Sequence, residues 1–521
     1  MSSHRRSVRR VIVSLLTGVL TVSTAWAGIG LAPVANDLVE GVTAGEGLAG
    51  SAGSADAAGA SAAAAVPGPG QFLVGAAKVS IEPNPTKFGG TWEKSGCATL
   101  EEDAGLETLT HVPDFRIAWP EKPNCLYMGG YGIGPMNPIT GWDKTYGLWV
   151  RALVISDGTH ELVLAVIDGT SYFGEYNKMC KNCGADDLAR DIGAKWGIDP
   201  AGFMIASTHS HTAPDFIGGW GGVPRWYNQQ VVQAFHAAVG GAMSRLQPAY
   251  IGAGEVLDRR FNGERRDFYR SAEDNTISWL RAVSAADGST IATLGAFAAH
   301  PVTADEGAGI ANADFPGPFN KRLEERFGGV GLFFQTGLGN MSPRGSTEEM
   351  GNGLAALIPT VGTRVVGNAV SVKKTYWVQP TTNLPLGSLG AGGFFDRKFT
   401  PGPAIVQEGK HADLRKCRSV SALGVNTSVA AARVGNLRFT GAPGETFSNL
   451  ANTIEEKSPW VAFPLAQVND GLGYIMQEFE TDHVGRQGVG FVGDPLAEYE
   501  DAYSIDHCFG DAVLEKTLAI L

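Results

Sequence analysis

The feature that most constrains this chain is a rhythm of apolar, β-branched runs, each breaking off in a short polar cluster. LWVRALVIS begins near residue 148, LVLAVID near 162, FMIAST near 203, IATLGAFAAH near 291, VGLFFQTG near 329 and AARVGNLRFTGAP near 431. Runs of this kind read as buried strands. Between them lie helical patterns at Ala185 to Trp196, Asn228 to Leu246 and Pro318 to Phe327, the last closed by Gly328-Gly329 as a helix stop. The alternation predicts an α/β (α+β) fold with central mixed β-sheets flanked by helices. FMIAS runs into THSHTAPD, GAFAA into HPVT, GLFFQTG into LGNMSP and RFTG into APGET. Strand ends that feed polar loops are where sheet proteins assemble sites on a rigid frame.

Residues 1–27 read as a secretory signal. Arg5, Arg6, Arg9 and Arg10 precede the apolar run Val11 to Leu20, and Ala25-Trp26-Ala27 has the small-x-small pattern of a cleavage site. The arginine pairs leave a twin-arginine export route open as well. The apolar run is shorter than the roughly 20 residues of a membrane-spanning helix and no later segment is longer, so a soluble, secreted protein is expected. Residues 28–70, dominated by Ala, Gly and Ser, read as a disordered linker, because such a composition buries too little apolar surface to offset its ordering entropy. Residues 71–521 then read as one large domain, uninterrupted by a second break of this type.

The formal charge is -12, and losing a leader with four arginines and no acid would bring it near -16, which excludes a basic nucleic-acid footprint. The six cysteines, Cys97, Cys125, Cys180, Cys183, Cys417 and Cys508, are an even number expected to pair in an exported protein, with the connectivity open. Cys180 and Cys183 form a CxxC with no second pair to complete a zinc site, and read as a structural disulfide.

Four positions at the strand ends carry chemistry. His209 and His211 form an HxH at the end of a strand, a spacing that places both imidazoles on one side of a sheet; they are either two ligands of a borderline-soft cation or two polar loop histidines. His300 closes IATLGAFAAH, where an imidazole after an apolar strand is either a ligand or a hydrogen-bonded core residue. Glu445 follows Pro443-Gly444, a carboxylate held by a tight turn, although an acid in a first helical turn has the same local appearance.

The run ASTHSHTAPD resembles the histidine motif of the neutral, non-lysosomal ceramidases. AFAAHPVT resembles their second histidine strand, QTGLGNMSP their glycine, acid, serine and proline motif, GAPGETF their PGE segment and VNDGLGYI their tyrosine segment. FLVGAAKVSIEP with GGYGIGP resembles the start of their catalytic domain, so the likeness runs across residues 71 to 521. It implies a Zn2+ ion held by His209, His300, Glu445 and Tyr474, with His211 beside it, and a secreted hydrolase that cleaves the N-acyl amide of ceramide or a related lipid to a fatty acid and a sphingoid base. Without the family, Tyr474 reads as an aromatic packed on a glycine-rich turn.

On this reading a metal-activated water attacks the carbonyl, Ser342 or His211 steadies the oxyanion, and His211 protonates the leaving amine. A Ser342 acyl-enzyme is the competing mechanism, and a Ser-Pro turn without chemistry the plain one. The sequence departs from the family's pattern at Asn340, where an acid is expected, at Arg344, and at IMQEFE, which puts Phe479 where a hydroxyl would stand. RRFNGERR matches the family's arginine segment loosely, making Arg260 and Arg265 substrate contacts by resemblance, and Phe216, Trp220, Trp226 and Tyr227 either line a lipid pocket or pack. The family's C-terminal immunoglobulin-like domain is not expected. The partner implied is a small-molecule lipid met at a membrane surface, with no nucleic acid and no obligate protein. The alternatives are a zinc hydrolase of another amide or ester on the same scaffold, and a non-catalytic surface binding protein.

Overall fold

The computed structural model describes residues 67–521 except 98, 100–123, 131–133, 178, 181, 267–271, 384–385, 388–389, 392–394, 411–415 and 482–498. The expected signal at 1–27 and nearly all of the 28–70 linker lie outside the described residues.

Two mixed sheets lie at the centre. The larger runs in the order β11 (Val330–Gln335), β9 (Thr290–Phe297), β8 (Thr276–Ser284), β6 (Gln247–Leu257), β1 (Phe72–Ser80), β3 (Trp149–Ser156), β4 (Glu161–Ile167), β5 (Phe203–Ser207), with β13 (Thr363–Arg364) added to β6. Its inner pairs are antiparallel, whereas β9 with β11 and β4 with β5 are parallel. The smaller sheet runs β14 (Val370–Pro380), β16 (Lys416–Val434), β17 (Leu437–Gly441), β19 (Ala462–Leu465), and β15 (Phe399–Lys410) pairs with β16.

The strands of the larger sheet are apolar on both faces because both faces are covered. Val150, Ala152 and Val154 of β3, with Val163, Ala165 and Ile167 of β4, pack under α1 (Ala185–Trp196) and α2 (Arg225–Met243). The alternating residues Leu153, Ile155, Leu162, Leu164 and Val166 pack against Ala430, Ala432, Phe439 and Phe463 of the smaller sheet. Phe315, Phe319 and Leu323, at and within α3 (Pro316–Phe327), and Met350 and Leu354 of α4 (Thr347–Leu357) cover the β8, β9 and β11 end. Leu450 and Ile454 of α5 (Ser448–Lys457) and Phe509 and Val513 of α7 (Phe509–Ile520) close the outer face of the smaller sheet, with the short α6 (Tyr499–Ala502) alongside. The architecture is therefore helix, sheet, sheet, helix, the α/β (α+β) arrangement read from the runs.

Details differ from the sequence reading for identifiable reasons. The second helix starts at Arg225 instead of Asn228, because Pro224 sits extended at the N-cap and begins it. The apolar run near 431 is not one strand but the β16–β17 hairpin, turned at Gly435-Asn436 with Gly435 at φ +56°. All six cysteines are paired: Cys97 with Cys125, Cys180 with Cys183, and Cys417 with Cys508.

What positions the site is the meeting of the two ends of the larger sheet. Gln335 at the end of β11 donates from Nε2 to the Thr208 carbonyl just beyond β5, at 2.9 Å. The segment after β19 fills the remaining gap. Ala466 N–H donates to Gln335 O, Asn469 N–H donates to Ile205 O, and Ser207 N–H donates to Gln467 O. Gln467 and Asn469 take left-handed φ values of 57° and 61° to alternate between these partners. Three two-stranded ribbons frame the same region: β2 (Gly141–Trp142) with β10 (Ile310–Ala311), β7 (Asn262–Glu264) with β12 (Met341–Pro343), and β18 (Glu445–Thr446) with β20 (Tyr474–Ile475).

Candidate metal centre

His209 lies beyond the end of β5 with φ 64°, so strand alternation is not what brings the HxH together. A left-handed turn at a non-glycine residue swings its ring onto that of His211. The two rings meet edge to face at 4.9 Å between centroids, and the His300 ring lies 5.2 Å from His209 and 5.9 Å from His211. Such a backbone costs on the order of 1 kcal/mol and persists where surrounding contacts over-determine it. Here the contact is Thr170 O at 2.6 Å from His209 Nδ1, with the Gln467 side chain packed beside the ring. Gly130, at φ +96°, lies against His211 so closely that a Cβ there would meet the ring at 2.4 Å.

Glu445 completes the cluster. The parallel β18–β20 pair sets it opposite Tyr474 in register. Its Oε2 lies 3.0 Å from His300 Nε2 and 3.4 Å from His209 Nε2, and the Nε2 atoms of His209 and His211 are 3.3 Å apart. Tyr474 Oη accepts from Arg265 Nη2 at 2.9 Å, and Arg265 Nε donates to Glu500 at 2.7 Å.

The tautomers follow from the carbonyls. Thr170 O and Met341 O can only accept, so Nδ1 of His209 and of His300 carries the proton and Nε2 presents a lone pair. Two lone pairs therefore face one carboxylate oxygen, an arrangement that repels unless a cation or an extra proton lies between them. The extra proton is disfavoured. Burial, followed by the nearby Arg265 guanidinium, pushes the His300 imidazole down to about 4 despite Glu445. Burial and the neighbouring His209 and His300 hold His211 well below its ordinary value. Burial raises the Glu445 carboxyl, but the neighbouring His209 and His300 outweigh burial and hold it well below the ordinary carboxylate range. Neutral imidazoles converging on an ionised carboxylate are the donor set of a divalent cation site.

A pH dependence follows for the protein stripped of metal. An unfolded histidine titrates near 6.5, whereas His300 in the folded chain titrates near 4. The folded state therefore binds fewer protons in this window, and its stability, fully present above about pH 6.5, is lost as pH falls towards 4. Urea unfolding of chelator-treated protein at pH 7, 5.5 and 4.5 should show a falling midpoint, and the slope should lessen in His300→Gln. A midpoint flat from pH 7 to 4.5 would show that His300 is not held neutral.

The structure sorts the remaining residues. Ser342 sits half-buried on β12 opposite Gly263 and does not line the cavity described below; among the described residues no hydrogen bond joins it to a histidine. Its neighbour Met341 is the residue whose carbonyl anchors the His300 ring. Asn340 ties two loops together, donating to Ala272 O and accepting from Ser448 N–H and Oγ. Arg265 reaches the site, whereas Arg260 lies at the surface paired with Asp258. Trp220 lines the cavity, but Phe216, Trp226 and Tyr227 are core, Phe216 stacking on Tyr227 at 6.2 Å.

The cavity that opens on the cluster has a volume of about 110 Å³ and walls that include Ile217, Trp220, Leu386, Phe395 and Phe399. Tyr503 and Arg397 also line it, and the sequence reading named neither. Gln467, whose Oε1 accepts from Ser171 Oγ at 2.6 Å, was missed too. Its only local sign is a polar residue two positions after the apolar strand β19.

Fold and cluster together define an αββα protein with a buried histidine and glutamate centre at the foot of an apolar cavity. No family model matches the sequence, and no curated protein does. Among solved structures, the neutral ceramidase from Pseudomonas aeruginosa is similar over 86% of this chain and 74% of its own, with a TM-score of 0.54 and 17% identity. A structure described as ceramidase complexed with C2 is similar over 85% and 73%, with a TM-score of 0.55 and 16% identity. The chain has the fold of the neutral ceramidases, in agreement with the likeness read from its motifs.

Proposed function

We propose that this chain is an exported, zinc-dependent amidohydrolase that cleaves the N-acyl amide of ceramide or a related N-acyl lipid. The observation that carries the reading is the set of Nε2 lone pairs turned onto Glu445 at the foot of an apolar cavity. His209, His300, Glu445 and Tyr474 would hold the ion, and histidine nitrogen with carboxylate and phenol oxygen suits zinc. When bound, the ion supplies Lewis-acid polarisation and a water of lowered pKa.

The chain's own residues do the rest. Thr170 O and Met341 O fix the ring orientations, and Arg265 holds the Tyr474 oxygen in place. His211, neutral in the buried cluster and 3.3 Å from His209, would relay a proton to the leaving amine during attack on the carbonyl. The apolar wall binds the lipid chain and excludes water. The likeness to proteins called ceramidases supports the amide class. Export is supported by the disulfides, and no described helix is long and apolar enough to cross a membrane.

Metal analysis of the purified protein, followed by hydrolysis of a fluorescent ceramide beside an ester and a simple-amide panel, tests the reading. About one zinc per chain and chelator-sensitive release of fatty acid from ceramide are expected. Metal-loaded protein that cleaves only the ester or the simple amide would move the substrate to another class, and an inert metal-free protein would end the enzyme reading.

A further inference from the structure

Ile217, Gly219 and Trp220 reach the cavity wall on a segment, residues 215–222, that belongs to no helix or strand. It curls back on itself, with Gly218, Gly221 and Gly222 at φ +86°, +113° and +72°. Its carbonyls are used outward: Ile217 O accepts from Asp396 N–H, Gly219 O from Gly134 N–H and Gly222 O from Tyr127 N–H. Its amides turn inward to one side chain. Asp215 Oδ1 accepts from Ile217 N–H and Gly218 N–H at 3.0 Å each, and Oδ2 accepts from Trp220 N–H at 2.7 Å and Gly222 N–H at 3.0 Å. The carboxylate is fully buried, and among the described residues no cation pairs with it. Burial pushes its carboxyl up to about 6 while the four amides hold it down, so it is ionised at pH 7.5. A buried charge held only by backbone N–H groups is costly to keep, and here it supplies the acceptors that a loop outside any sheet lacks.

From this geometry, and resting on the reading of the cavity as the site of a lipid chain, we propose that Asp215 is a positioning residue that sets selectivity for chain length, holding Ile217 and Trp220 against the cavity by gathering the amides of their loop. Asp215 touches no substrate and acts through those two side chains. An apolar wall rewards each added methylene fully only when it is already in place, because a loose wall must first be ordered by the ligand. Asparagine cannot take over the role. Its oxygen serves two of the four N–H groups, and its NH2 then meets the other two donors whichever way the amide is turned.

The test uses binding to the full chain after chelation at pH 7.5, so that selection is read apart from turnover. N-methylbutanamide, N-methylhexanamide and N-methyloctanamide are titrated by calorimetry against wild type, Asp215→Asn, Trp220→Ala and the double variant. Wild-type affinity should rise roughly tenfold for each two methylenes. In Asp215→Asn the rise should fall to about threefold or less. Trp220→Ala should flatten it too, and the double variant should be no flatter than the flatter single variant, because both changes remove the same wall. Zinc content of Asp215→Asn, loaded and dialysed, should match wild type. A wild-type slope retained in Asp215→Asn, strictly additive losses in the double variant, zinc lost from Asp215→Asn, or no binding of any amide by wild type overturns the proposal. If Asp215→Asn melts early, Asp215→Glu, which keeps the charge and shifts the carboxylate by one methylene, takes its place with the same readouts. Slopes that behave as expected support the assignment even where the zinc-loaded protein hydrolyses no amide, an outcome that would sink the proposed activity alone.

Discussion

Replacing His300 with alanine is expected to weaken zinc binding by roughly 100-fold or more and to lower turnover by on the order of 1000-fold. The ring is held from two sides. Nδ1 is fixed by the Met341 carbonyl at 3.1 Å, and Nε2 faces Glu445 at 3.0 Å. His209, Glu445 and Tyr474 remain in the variant, leaving three donors where four are proposed. Metal content after dialysis, with circular dichroism as a control for folding, reads the effect directly. The exposed variant Arg260→Ala should keep both metal and turnover, since its partner Asp258 lies outside the cluster. Full zinc occupancy in His300→Ala would remove His300 from the ligand set.

The second large effect separates two nucleophiles. If water attacks the amide, Ser342→Ala should leave zinc content unchanged and lower turnover by no more than about tenfold, since Ser342 does not line the cavity. If Ser342 is acylated, the substitution should abolish chemistry, and quenching wild-type turnover should trap acyl mass on the peptide that contains it. The geometry favours water. Ser342 is half-buried on the edge ribbon opposite Gly263, with no histidine bonded to it among the described residues, and an unactivated hydroxyl is a poor nucleophile. A stoichiometric acyl adduct on Ser342 would prove this preference wrong.

The likeness in fold to neutral ceramidases bears on the chemistry only through the residues at the site. The positions where the chain departs from the family pattern have local accounts. Asn340 joins the β11–β12 loop to Ala272 through its Nδ2 and to the start of α5 through its Oδ1. Arg344 lies over Gly263, where any Cβ would meet its guanidinium at 2.1 Å, so the glycine in NGE makes room for it. Phe479 is half-buried in a short 3-10 turn, and it is Tyr503, not Phe479, that lines the cavity.

Short-range pattern was enough for the strand runs, the three helices and the polar residues at the strand ends, because apolar periodicity and turn residues act over a few positions. His209, His300 and Glu445 were legible as polar groups just beyond an apolar strand or a tight turn, whereas the full ligand set, Tyr474 included, came from the resemblance to a family. Tertiary structure alone decided how they meet. His300 and Glu445 are 145 residues apart, and Ser171 and Gln467 are 296 apart. No local period encodes which sheet edges come together. The left-handed turns at His209, Gln467 and Asn469 were illegible because residues other than glycine adopt that conformation only when distant partners hold them there. The burial of Arg397 was hidden likewise, since Asp470 and Glu175, which balance its charge, reach it only once both sheets have packed.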